Sequence, residues 1–264
     1  MTKSDTALLN PMSMTGRAVM VTGAGQGIGY AVCQMVCGLG GRVVAVDLNA
    51  DGLAKLQAEL GPNRCHTVVG SVADADIVQT AVDQGIAAFG AIHGLVNNAG
   101  IIRPAMLQKM SMKEWTDVLD VHLTGTFLCT QAVAKTMIDR FKEGDDLRGS
   151  IVNISSDAGV QGTVGQINYS VAKAGVLGAA MSTARELARY NVRANSVAFG
   201  MVETPMTEVI RGEKFRDTYL SRLPLGRWSS PEEAAGPICF LLSDAASYVT
   251  GQRFSINGGN QMSL

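Results

Sequence analysis

The sequence predicts an α/β protein built on one open, doubly wound parallel sheet of about seven strands. Two observations carry this prediction. Short apolar, β-branched runs alternate with helical patterns along the chain, and each run is hydrophobic almost throughout instead of at every second residue. Continuous hydrophobicity is typical of parallel strands covered by helices on both faces, and the alternation indicates βαβ units. The length of 264 residues is compatible with a single domain of this class.

The bulk composition excludes several kinds of partner. Hydrophobic residues make up 47% of the chain and the formal net charge is -1, so there is ample material for a core and no basic excess. We therefore expect no nucleic acid and no membrane as partners. Only 17% of the residues are charged. That fraction is compatible with a surface covered in an oligomer, and equally with a Gly- and Ala-rich sequence that has few long surface helices.

The chain contains five cysteines, which are Cys33, Cys37, Cys65, Cys129 and Cys239. Their number is odd and they form no CxxC pair, and the N-terminal residues resemble no secretory signal. The pattern indicates buried thiols in a reducing compartment, so we expect a cytoplasmic protein. Cys33 and Cys37 are four residues apart on a predicted helix. Packing is favoured over metal ligation there because no histidine or second cysteine pair accompanies them, and no metal is expected.

In chain order, residues 1–14 are predicted to be a loose lead-in and residues 15–264 a single domain. The predicted strands lie at 17–23, 41–47, 65–71, 93–99, 150–156, 192–198 and 253–257. Such a sheet binds its ligands beyond the carboxyl ends of the strands, at the point where the strand order reverses.

Three helices have clear signals. Apolar residues recur at three- and four-residue steps from Ile28 to Leu39, which predicts an amphipathic helix after the first strand. Ser111 begins a capping box that opens a helical stretch to about residue 140, and Ser230 does the same for a helix near 231–243. Pro237 falls inside the last helix, where a kink is expected.

The segment "VTGAGQGIG" (21–29) joins the first strand to the first helix. Its glycines allow a tight turn and a close backbone approach to a pyrophosphate, which the free N–H groups and dipole of the helix N-terminus would attract. The strict GxGxxG spacing is absent, since Gly23, Gly27 and Gly29 give TGxxxGxG. Glycine-rich turns also serve plain strand-to-helix connections, but the position between a buried strand and an amphipathic helix favours dinucleotide binding.

Asp47 ends the second predicted strand, near the distance at which an acid meets the adenosine ribose. A carboxylate there accepts hydrogen bonds from the ribose diol and repels a 2′-phosphate. No arginine or lysine lies in the glycine loop or just after Asp47. The residue predicts NAD rather than NADP as cofactor, although an acid at a strand end also serves to cap the next helix.

With these residues in place, the chain resembles the short-chain dehydrogenase/reductase family from about residue 16 to 259. The resemblance rests on motifs that occur in the family's order: "TGAGQGIG" (22–29), "NNAG" (97–100), "NISS" (153–156), "YSVAK" (169–173), "VETPM" (202–206) and "YVTGQRFSINGG" (248–259). It implies a Rossmann-type fold and hydride transfer between a nicotinamide cofactor and a carbon that bears oxygen.

The resemblance also assigns a catalytic trio. Tyr169 and Lys173 are one helical turn apart on one face. A cationic Lys173 would lower the pKa of the phenol and bring Tyr169 into range as general acid or base, and Lys173 could also bind the nicotinamide ribose. Ser156, thirteen residues before the tyrosine, would orient the substrate oxygen. Ser155 competes for that role, but the family's spacing favours Ser156.

Other cofactor contacts carry over by motif. Asn98, Ala99 and Gly100 are expected along the adenosine ribose and pyrophosphate, and Val202 and Thr204 near the nicotinamide carboxamide and phosphates. The remaining expected cofactor-binding residues are Gln26, Ile28, Leu48, Ser71, Val72, Gly200 and Met206.

The chain departs from the family's pattern at three positions. Phe199 stands where a proline usually precedes the glycine, so its φ is not fixed by a ring. Ser71 replaces an aspartate that often contacts adenine. His122, in "LDVHLTGTF" (119–127), stands where the family has a catalytic asparagine. That residue acts mainly through its backbone carbonyl, which any side chain retains, so His122 is expected to be compatible with catalysis. We expect its imidazole to be neutral near pH 7 because Lys173 is close.

The sequence thus predicts an NAD(H)-dependent enzyme that interconverts a secondary alcohol and a ketone. The alternatives are a 3-oxoacyl reductase and a catalytically silent NAD-binding sensor or scaffold. The family implies a mobile lid at about 203–223 and a homotetramer formed through the long helices near 112–140 and 168–190. The substrate, a small-molecule alcohol or ketone, is not encoded in a recognisable way.

Overall fold

The computed structural model describes residues 10–145 and 148–262. Most of the predicted lead-in, residues 1–9, lies outside the described residues. Its last residues pack onto the domain: the Met14 side chain is fully buried, and the N–H of Met14 donates to the carbonyl of Leu39 at 2.9 Å. The N–H of Ala245 donates to the carbonyl of Pro11 at 3.0 Å. Residues 10–14 therefore belong to the folded body of the protein.

All seven predicted strands are present, and they form one parallel sheet in the order β3-β2-β1-β4-β5-β6-β7. The strands are β1 (Ala18–Thr22), β2 (Arg42–Asp47), β3 (Cys65–Val69), β4 (Gly94–Asn97), β5 (Gly149–Ser156), β6 (Val192–Phe199) and β7 (Arg253–Ile256). The predicted fold class is confirmed. The strand order reverses between β1 and β4, which is the switch point of a doubly wound sheet.

Helices cover both faces of this sheet. They are α1 (Gly27–Gly38), α2 (Ala50–Leu60), α3 (Ala75–Phe89), α4 (Met112–Leu119), α5 (Gly125–Lys142), α6 (Ala158–Gln161), α7 (Ile167–Leu187), α8 (Glu208–Arg211), α9 (Glu213–Leu220) and α10 (Pro231–Leu242). Ser111 and Ser230 each form the predicted capping box, with Glu114 and Glu233 respectively. Helix α10 runs without interruption through Pro237.

The central strand explains the continuous hydrophobicity of the sequence. Val19 and Val21 of β1 belong to a buried cluster with residues of α1 and α10, whereas Ala18 and Met20 belong to a second cluster with residues of α3 and α5. Successive side chains of a strand point to opposite faces, so both faces of β1 are buried in apolar cores. A polar residue at either phase of the strand would face one of these cores.

The predicted long helix from residue 112 to about 140 is divided. A π-helical turn, Asp120–Thr124, lies between α4 and α5, and the N–H of Gly125 donates to the carbonyl of Asp120. Such a turn inserts one extra residue into a helix and is frequent at functional sites. His122 lies in this turn with a side chain that is 2% exposed.

All five cysteines are buried and free, as predicted. Burial raises the pKa of Cys37 to about 11 and the pKa of Cys65, Cys129 and Cys239 to about 12. The described residues contain no group of three or more His, Cys, Asp or Glu side chains that could hold a metal ion. Within the same residues, no helix combines the length and the apolar character needed to cross a bilayer.

The predicted lid at about 203–223 contains a 3₁₀ turn (Pro205–Thr207) followed by the short helices α8 and α9. Its mobility stays a prediction. Its N-terminal end is tied to the domain, because the N–H of Glu203 donates to the carbonyl of Ser229 at 2.9 Å and Ser229 donates back to Met201 at 3.1 Å.

Candidate active site

A cleft of about 300 Å³ lies at the carboxyl ends of the central strands, beside the β1–β4 switch point. The residues predicted to bind cofactor or act in catalysis come together there, with one exception. The predicted residues that line the cleft are Gly23, Gln26, Gly27, Ile28, Asp47, Leu48, Ser71, Val72, Asn98, Ala99, Gly100, His122, Ser156, Tyr169, Lys173, Gly200, Val202, Thr204 and Met206.

The exception is Gly29, which does not line the cleft. A Cβ atom on Gly29 would lie 2.1 Å from the carbonyl oxygen of Gly23. The glycine therefore lets helix α1 pack closely on the turn that precedes it, and its part in cofactor binding stays a prediction. The third glycine of a dinucleotide loop commonly has this packing role.

The glycine loop is held by the segment that follows β4. Asn98 Nδ2 donates to the carbonyls of Thr22 and Gly23, both at 3.0 Å. Thr22 Oγ1 in turn accepts from the backbone N–H groups of Asn98 and Ala99, also at 3.0 Å. A Cβ on Gly23 would lie 2.8 Å from Asn98 Nδ2, so the two segments touch as closely as their backbones allow.

The N-terminus of α1 faces the cleft without a side-chain cap. The N-cap residue Gln26 makes no capping hydrogen bond, so the first N–H groups of α1 are not used by it. Across the cleft lies Thr204, whose Cγ2 would be 3.1 Å from a Cβ on Gly27. Uncapped N–H groups with a positive dipole end form an anion site. This arrangement, together with the space that the glycines leave, fits the pyrophosphate of a dinucleotide.

Asp47 stands at the end of β2 with both carboxylate oxygens engaged. Oδ2 accepts from the N–H of Gly25 at 2.8 Å, and Oδ1 accepts from the N–H of Asn49 at 2.9 Å. Asn49, rather than Asp47, caps helix α2. A carboxylate has about four acceptor positions, so Asp47 retains capacity for a ribose diol while it fixes the turn around it.

Ser71 and Val72 form the wall beyond β3. The Ser71 hydroxyl accepts from the N–H of Ala73 at 3.2 Å, which closes a local turn. Val72 is 6% exposed and packs against the start of α5, where a Cβ on Gly125 would lie 2.6 Å from Val72 Cγ2. This part of the cleft is therefore braced by the helix that follows the π-helical turn.

The two serines at the end of β5 have different tasks. Ser155 Oγ is buried and donates to the carbonyl of Lys173 at 2.7 Å, which fastens α7 to the strand. Ser156 lowers the pKa of the Tyr169 side chain, and its Oγ accepts from the N–H of Ala158 at 3.2 Å. The geometry favours Ser156 over Ser155 as the group that meets a substrate oxygen.

Tyr169 and Lys173 lie one turn apart on α7, where Lys173 is buried and Tyr169 is partly buried. Lys173 Nζ donates to the carbonyl of Ile154 at 2.7 Å and is 5.6 Å from the centroid of the Tyr169 ring. Burial lowers the pKa of Lys173 to about 7. An ammonium group with one carbonyl partner has further N–H donors to offer, and in this cleft they fit ribose hydroxyl groups.

The pKa of Tyr169 differs from the sequence-based expectation. Burial raises it above the usual value for a phenol, and the hydrogen bond with Ser156 acts in the opposite direction. The expected lowering by Lys173 is not found, because the lysine is itself desolvated and directs its Nζ to Ile154. Tyr169 is therefore a phenol at neutral pH, the protonated form that a general acid requires.

His122 contacts both the tyrosine and the backbone after β4. Its ring meets that of Tyr169 edge to face, and its Nε2 lies 2.9 Å from the carbonyl oxygen and 3.1 Å from the nitrogen of Ile101. Burial first, and the charge of Lys173 second, lower the pKa of His122 to about 3. The imidazole is neutral near pH 7, as expected, although desolvation is the larger cause.

Phe199 occupies the place of the expected proline without disturbing the loop that follows. Its side chain is 4% exposed, and its carbonyl accepts from the N–H of Asp157 at 2.9 Å. Gly200 continues the ladder by donating to the carbonyl of Ile256 at 3.1 Å. Pairing with β7 thus fixes the backbone at Phe199, as a proline ring would by restricting φ.

Several residues of the cleft were not predicted from the sequence. They are Val46, Gly70, Ile101, Val121, Ile154, Pro205 and Thr207, whereas Ser155 and Phe199, which also line the cleft, had been considered from the sequence. Most of them are next in the chain to predicted residues at strand ends, so the predicted ends of the strands could have identified them. Ile101 follows the predicted Gly100 and contributes backbone groups that face His122.

The parallel sheet, the glycine loop at its switch point and the serine, tyrosine and lysine of the cleft define an oxidoreductase that uses a nicotinamide dinucleotide. A family model described as Enoyl-(Acyl carrier protein) reductase matches residues 23–261. The chain belongs to the short-chain dehydrogenase/reductase family.

Characterised relatives match over nearly the whole chain. The 3-oxoacyl-[acyl-carrier-protein] reductase FabG of Thermotoga maritima is 44% identical over 250 residues, covering 94% of this chain and 99% of the relative. The 3-oxoacyl-[acyl-carrier-protein] reductase of Synechocystis is 41% identical over 254 residues, covering 95% and 99%. A short-chain type dehydrogenase/reductase from Mycobacterium marinum superimposes with a TM-score of 0.90 at 29% identity, over 97% of this chain and 99% of that one.

Proposed function

We propose that this protein reduces the ketone of a 3-oxoacyl thioester to the corresponding secondary alcohol with a nicotinamide cofactor. The observation that carries the proposal is that Ser156, Tyr169 and Lys173 line one cleft together with the glycine loop. The relatives from Thermotoga maritima and Synechocystis, both named as 3-oxoacyl-[acyl-carrier-protein] reductases, support this substrate class.

The cofactor proposed is NAD(H). The N-terminus of α1 would hold the pyrophosphate, Asp47 the adenosine ribose diol, and Lys173 the nicotinamide ribose. In the part of the chain that the structure describes, Lys173 is the only cationic side chain that lines the cleft. A 2′-phosphate next to Asp47 would therefore meet a carboxylate without a compensating cation, which favours NAD over NADP.

Each member of the trio has a separate task in the proposed reaction. The bound nicotinamide supplies the hydride for reduction and accepts it for oxidation. Ser156 donates a hydrogen bond to the substrate oxygen, which gains negative charge as the ketone is reduced. Tyr169, a phenol at neutral pH, gives its proton to that oxygen. Lys173 donates to the carbonyl of Ile154 and has further N–H donors for the nicotinamide ribose.

Exposed apolar side chains on the segments that follow the cleft residues Ile101 and Thr204 support an acyl substrate. Met206 lines the cleft and is 38% exposed, and Val209 on the following helix is 77% exposed. Met106 and Leu107, on the loop that continues from Ile101, are 49% and 69% exposed. Solvated apolar side chains at a cleft mouth suit an alkyl chain better than a polyol.

A second candidate substrate is a free secondary alcohol that the enzyme oxidises. The preference for NAD expected from Asp47 favours this direction. A solved structure titled "Short-chain dehydrogenase/reductase SDR:Glucose/ribitol dehydrogenase", from Brucella melitensis, is also similar, with 31% identity and a TM-score of 0.88 over 95% of this chain and 99% of that one.

The exposed face of α5 and α7 supports a homotetramer. Phe127 and Met181 on these helices are 58% and 53% exposed, and a groove of about 890 Å³ runs between the helices. Apolar residues of this size in adjacent rows are typical of a surface that a second copy covers. Light scattering coupled to gel filtration measures the mass, and a monomer at micromolar concentration would contradict the proposal.

The decisive experiment follows NADH absorbance with four substrates at equal concentration. They are a 3-oxoacyl chain on an acyl carrier protein, the same chain as a coenzyme A thioester, a simple ketone, and, with NAD, a polyol. The proposal expects the highest kcat/KM with one of the two thioesters. Faster polyol oxidation would favour the second candidate. No turnover with any substrate, despite NADH binding, would favour a silent sensor or scaffold.

A further inference from the structure

A buried carboxylate lies directly after Ser156 and takes no part in the proposed chemistry. Asp157 is 6% exposed. Its Oδ1 accepts from Asn257 Nδ2 at 2.9 Å and its Oδ2 accepts from Asn260 Nδ2 at 2.8 Å. Asp157 is also the N-cap residue of α6, yet its side chain makes no capping hydrogen bond. Aspartate at that position ordinarily caps, so here the carboxylate is committed to another partner.

The partner is the C-terminal segment, residues 257–261. The orientation of the Asn257 amide is fixed, because its Oδ1 accepts from the N–H of Gly259 at 3.1 Å while its Nδ2 also donates to the carbonyl of Gln261 at 3.0 Å. The N–H of Asn260 donates to the carbonyl of Asn257 at 3.1 Å. The segment is thus a tight turn that presents two amide donors to one carboxylate.

The same turn touches two other parts of the site. A Cβ on Gly200 would lie 2.8 Å from Asn257 Cβ, so Asn257 supports the loop that leads into the nicotinamide-side residues. A Cβ on Gly259 would lie 2.7 Å from Pro224 Cγ, and the N–H of Leu225 donates to the carbonyl of Gly258 at 3.2 Å. The C-terminal end of the predicted lid therefore rests on the turn.

We propose that Asp157 is a positioning residue. Its hydrogen bonds with Asn257 and Asn260 hold the C-terminal turn against the end of β5. The turn then sets the position of the lid base, Leu223–Leu225, relative to Ser156. The inference rests on the proposed function of the cleft. We call the three side chains Asp157, Asn257 and Asn260 the tail cluster.

The positioning role of the tail cluster can be tested by reversing which residue donates and which accepts in the hydrogen bond between Asp157 and Asn260. In Asn260→Asp two carboxylates face each other and the donor to Asp157 Oδ2 is lost. In Asp157→Asn the new amide can accept from Asn257 and donate to Asn260, whose amide turns over, so both hydrogen bonds survive. In the double variant Asp157→Asn/Asn260→Asp, an amide donates to a carboxylate and the pairing is restored with reversed polarity.

The first measurement compares the change in KM for the ketone with the change in kcat for each variant. Asn260→Asp should raise KM about tenfold, the usual cost of one hydrogen bond to a charged group, while kcat changes less than KM. Asp157→Asn and the double variant should return KM to within about threefold of the wild type. Asn63→Asp, the same charge change at an exposed site, is the matched control. A KM unchanged by Asn260→Asp, or not restored in the double variant, overturns the proposal.

A second readout needs no substrate. Amide hydrogen exchange of segments 222–226 and 257–261 should be faster in Asn260→Asp and return to the wild-type rate in the double variant. Melting temperature and NADH titration confirm that each variant is folded. Exchange that stays unchanged at 222–226 contradicts the link between turn and lid base. A protein that reduces no ketone contradicts the proposed function instead, and exchange at 222–226 then decides the positioning role alone.

Discussion

The rings of His122 and Tyr169 meet edge to face, with centroids 5.4 Å apart and planes at 86°. The same imidazole reaches the backbone of Ile101 on its other side. His122 therefore connects the strand-end loop after β4 to the tyrosine of α7. We expect substitutions at either ring, or in the space between His122 and its neighbours, to change the rate of the reaction.

The first prediction concerns His122 itself. Nε2 can donate to the carbonyl of Ile101 or accept from its N–H, but not both at once. An asparagine amide has a separate donor and acceptor, so His122→Asn should keep kcat within about tenfold, a change worth ~1.4 kcal/mol of barrier. His122→Ala should cost more, through lost positioning and a small cavity. Profiles of kcat against pH for the three proteins are the measurement. An inactive, folded His122→Asn would mean that the imidazole itself carries protons.

Tyr169→Phe should abolish turnover while NADH binding persists. The ring and its contact with His122 remain, and only the proton donor is lost, which is typically worth ~10²–10⁴-fold. Single-turnover kinetics and a fluorescence titration with NADH separate chemistry from binding. Tyr248→Phe, at a fully exposed tyrosine, is the control. Near-normal kcat in Tyr169→Phe would remove this residue from the mechanism.

Gly100 should be coupled to His122. A Cβ on Gly100 would lie 2.4 Å from His122 Cε1, so Gly100→Ala must displace the imidazole or the loop. We expect kcat/KM to fall at least tenfold, and to fall much less when the same change is made in His122→Ala. A double-mutant cycle measures the coupling, with Gly38→Ala, where a Cβ meets nothing, as control. Strictly additive effects would show that the two residues are independent.

Asp47 should decide between the two nicotinamide cofactors. We expect kcat/KM for NAD to exceed that for NADP by a wide margin, and Asp47→Ala to narrow the ratio because the repulsion of a 2′-phosphate is removed. The ratio is the appropriate readout, since Asp47 also holds the turn at Gly25 and Asn49. Asp51→Ala, at an exposed acid on α2, should leave the ratio unchanged. Equal efficiencies in the wild type would refute the assignment.

His122 should also limit stability in acid. Its pKa is lowered to about 3 in the native protein, below the usual 6.5. Between these values the unfolded chain binds a proton that the native state does not, so stability falls as pH decreases from 6.5 towards 3. Relative to His122→Asn, the wild type should lose on the order of 2 kcal/mol of unfolding free energy by pH 4.5. Urea titrations at pH 7 and 4.5 measure this, and parallel losses in both proteins would contradict it.

The sheet could be predicted from the sequence because burial on both faces makes each strand a continuous run of apolar residues. Val19 and Met20 belong to different buried clusters, so the strand is apolar at every residue. The carboxyl ends of the strands then place Asp47 and Ser156 at the same edge of the parallel sheet. The motif order added the tyrosine and lysine. Ser111 and Ser230 marked helix starts correctly because a capping box is a local interaction between residues three apart.

Other features depend on contacts that no local pattern encodes. Gly29 belongs to the glycine loop by spacing, but only the packing distance to Gly23 shows that it touches backbone instead of the cleft. The direction of the Tyr169 pKa depends on how completely the site excludes water. The tail cluster brings together residues 100 and 103 positions apart in the chain, beyond the reach of any periodicity.

The π-helical turn at Asp120–Thr124 fixes the angular phase between α4 and α5. Each residue of a helix advances the chain by roughly 100° about its axis. The π-helical turn absorbs one extra residue in its wider turn, so deleting that residue would restore a regular helix and leave the later side chains of α5 in phase. Cys129 and Val133 of α5 would therefore stay in the core. The extra residue thus acts locally: a single deletion in this turn would move His122 away from Ile101 and Tyr169 while the core along α5 keeps its packing.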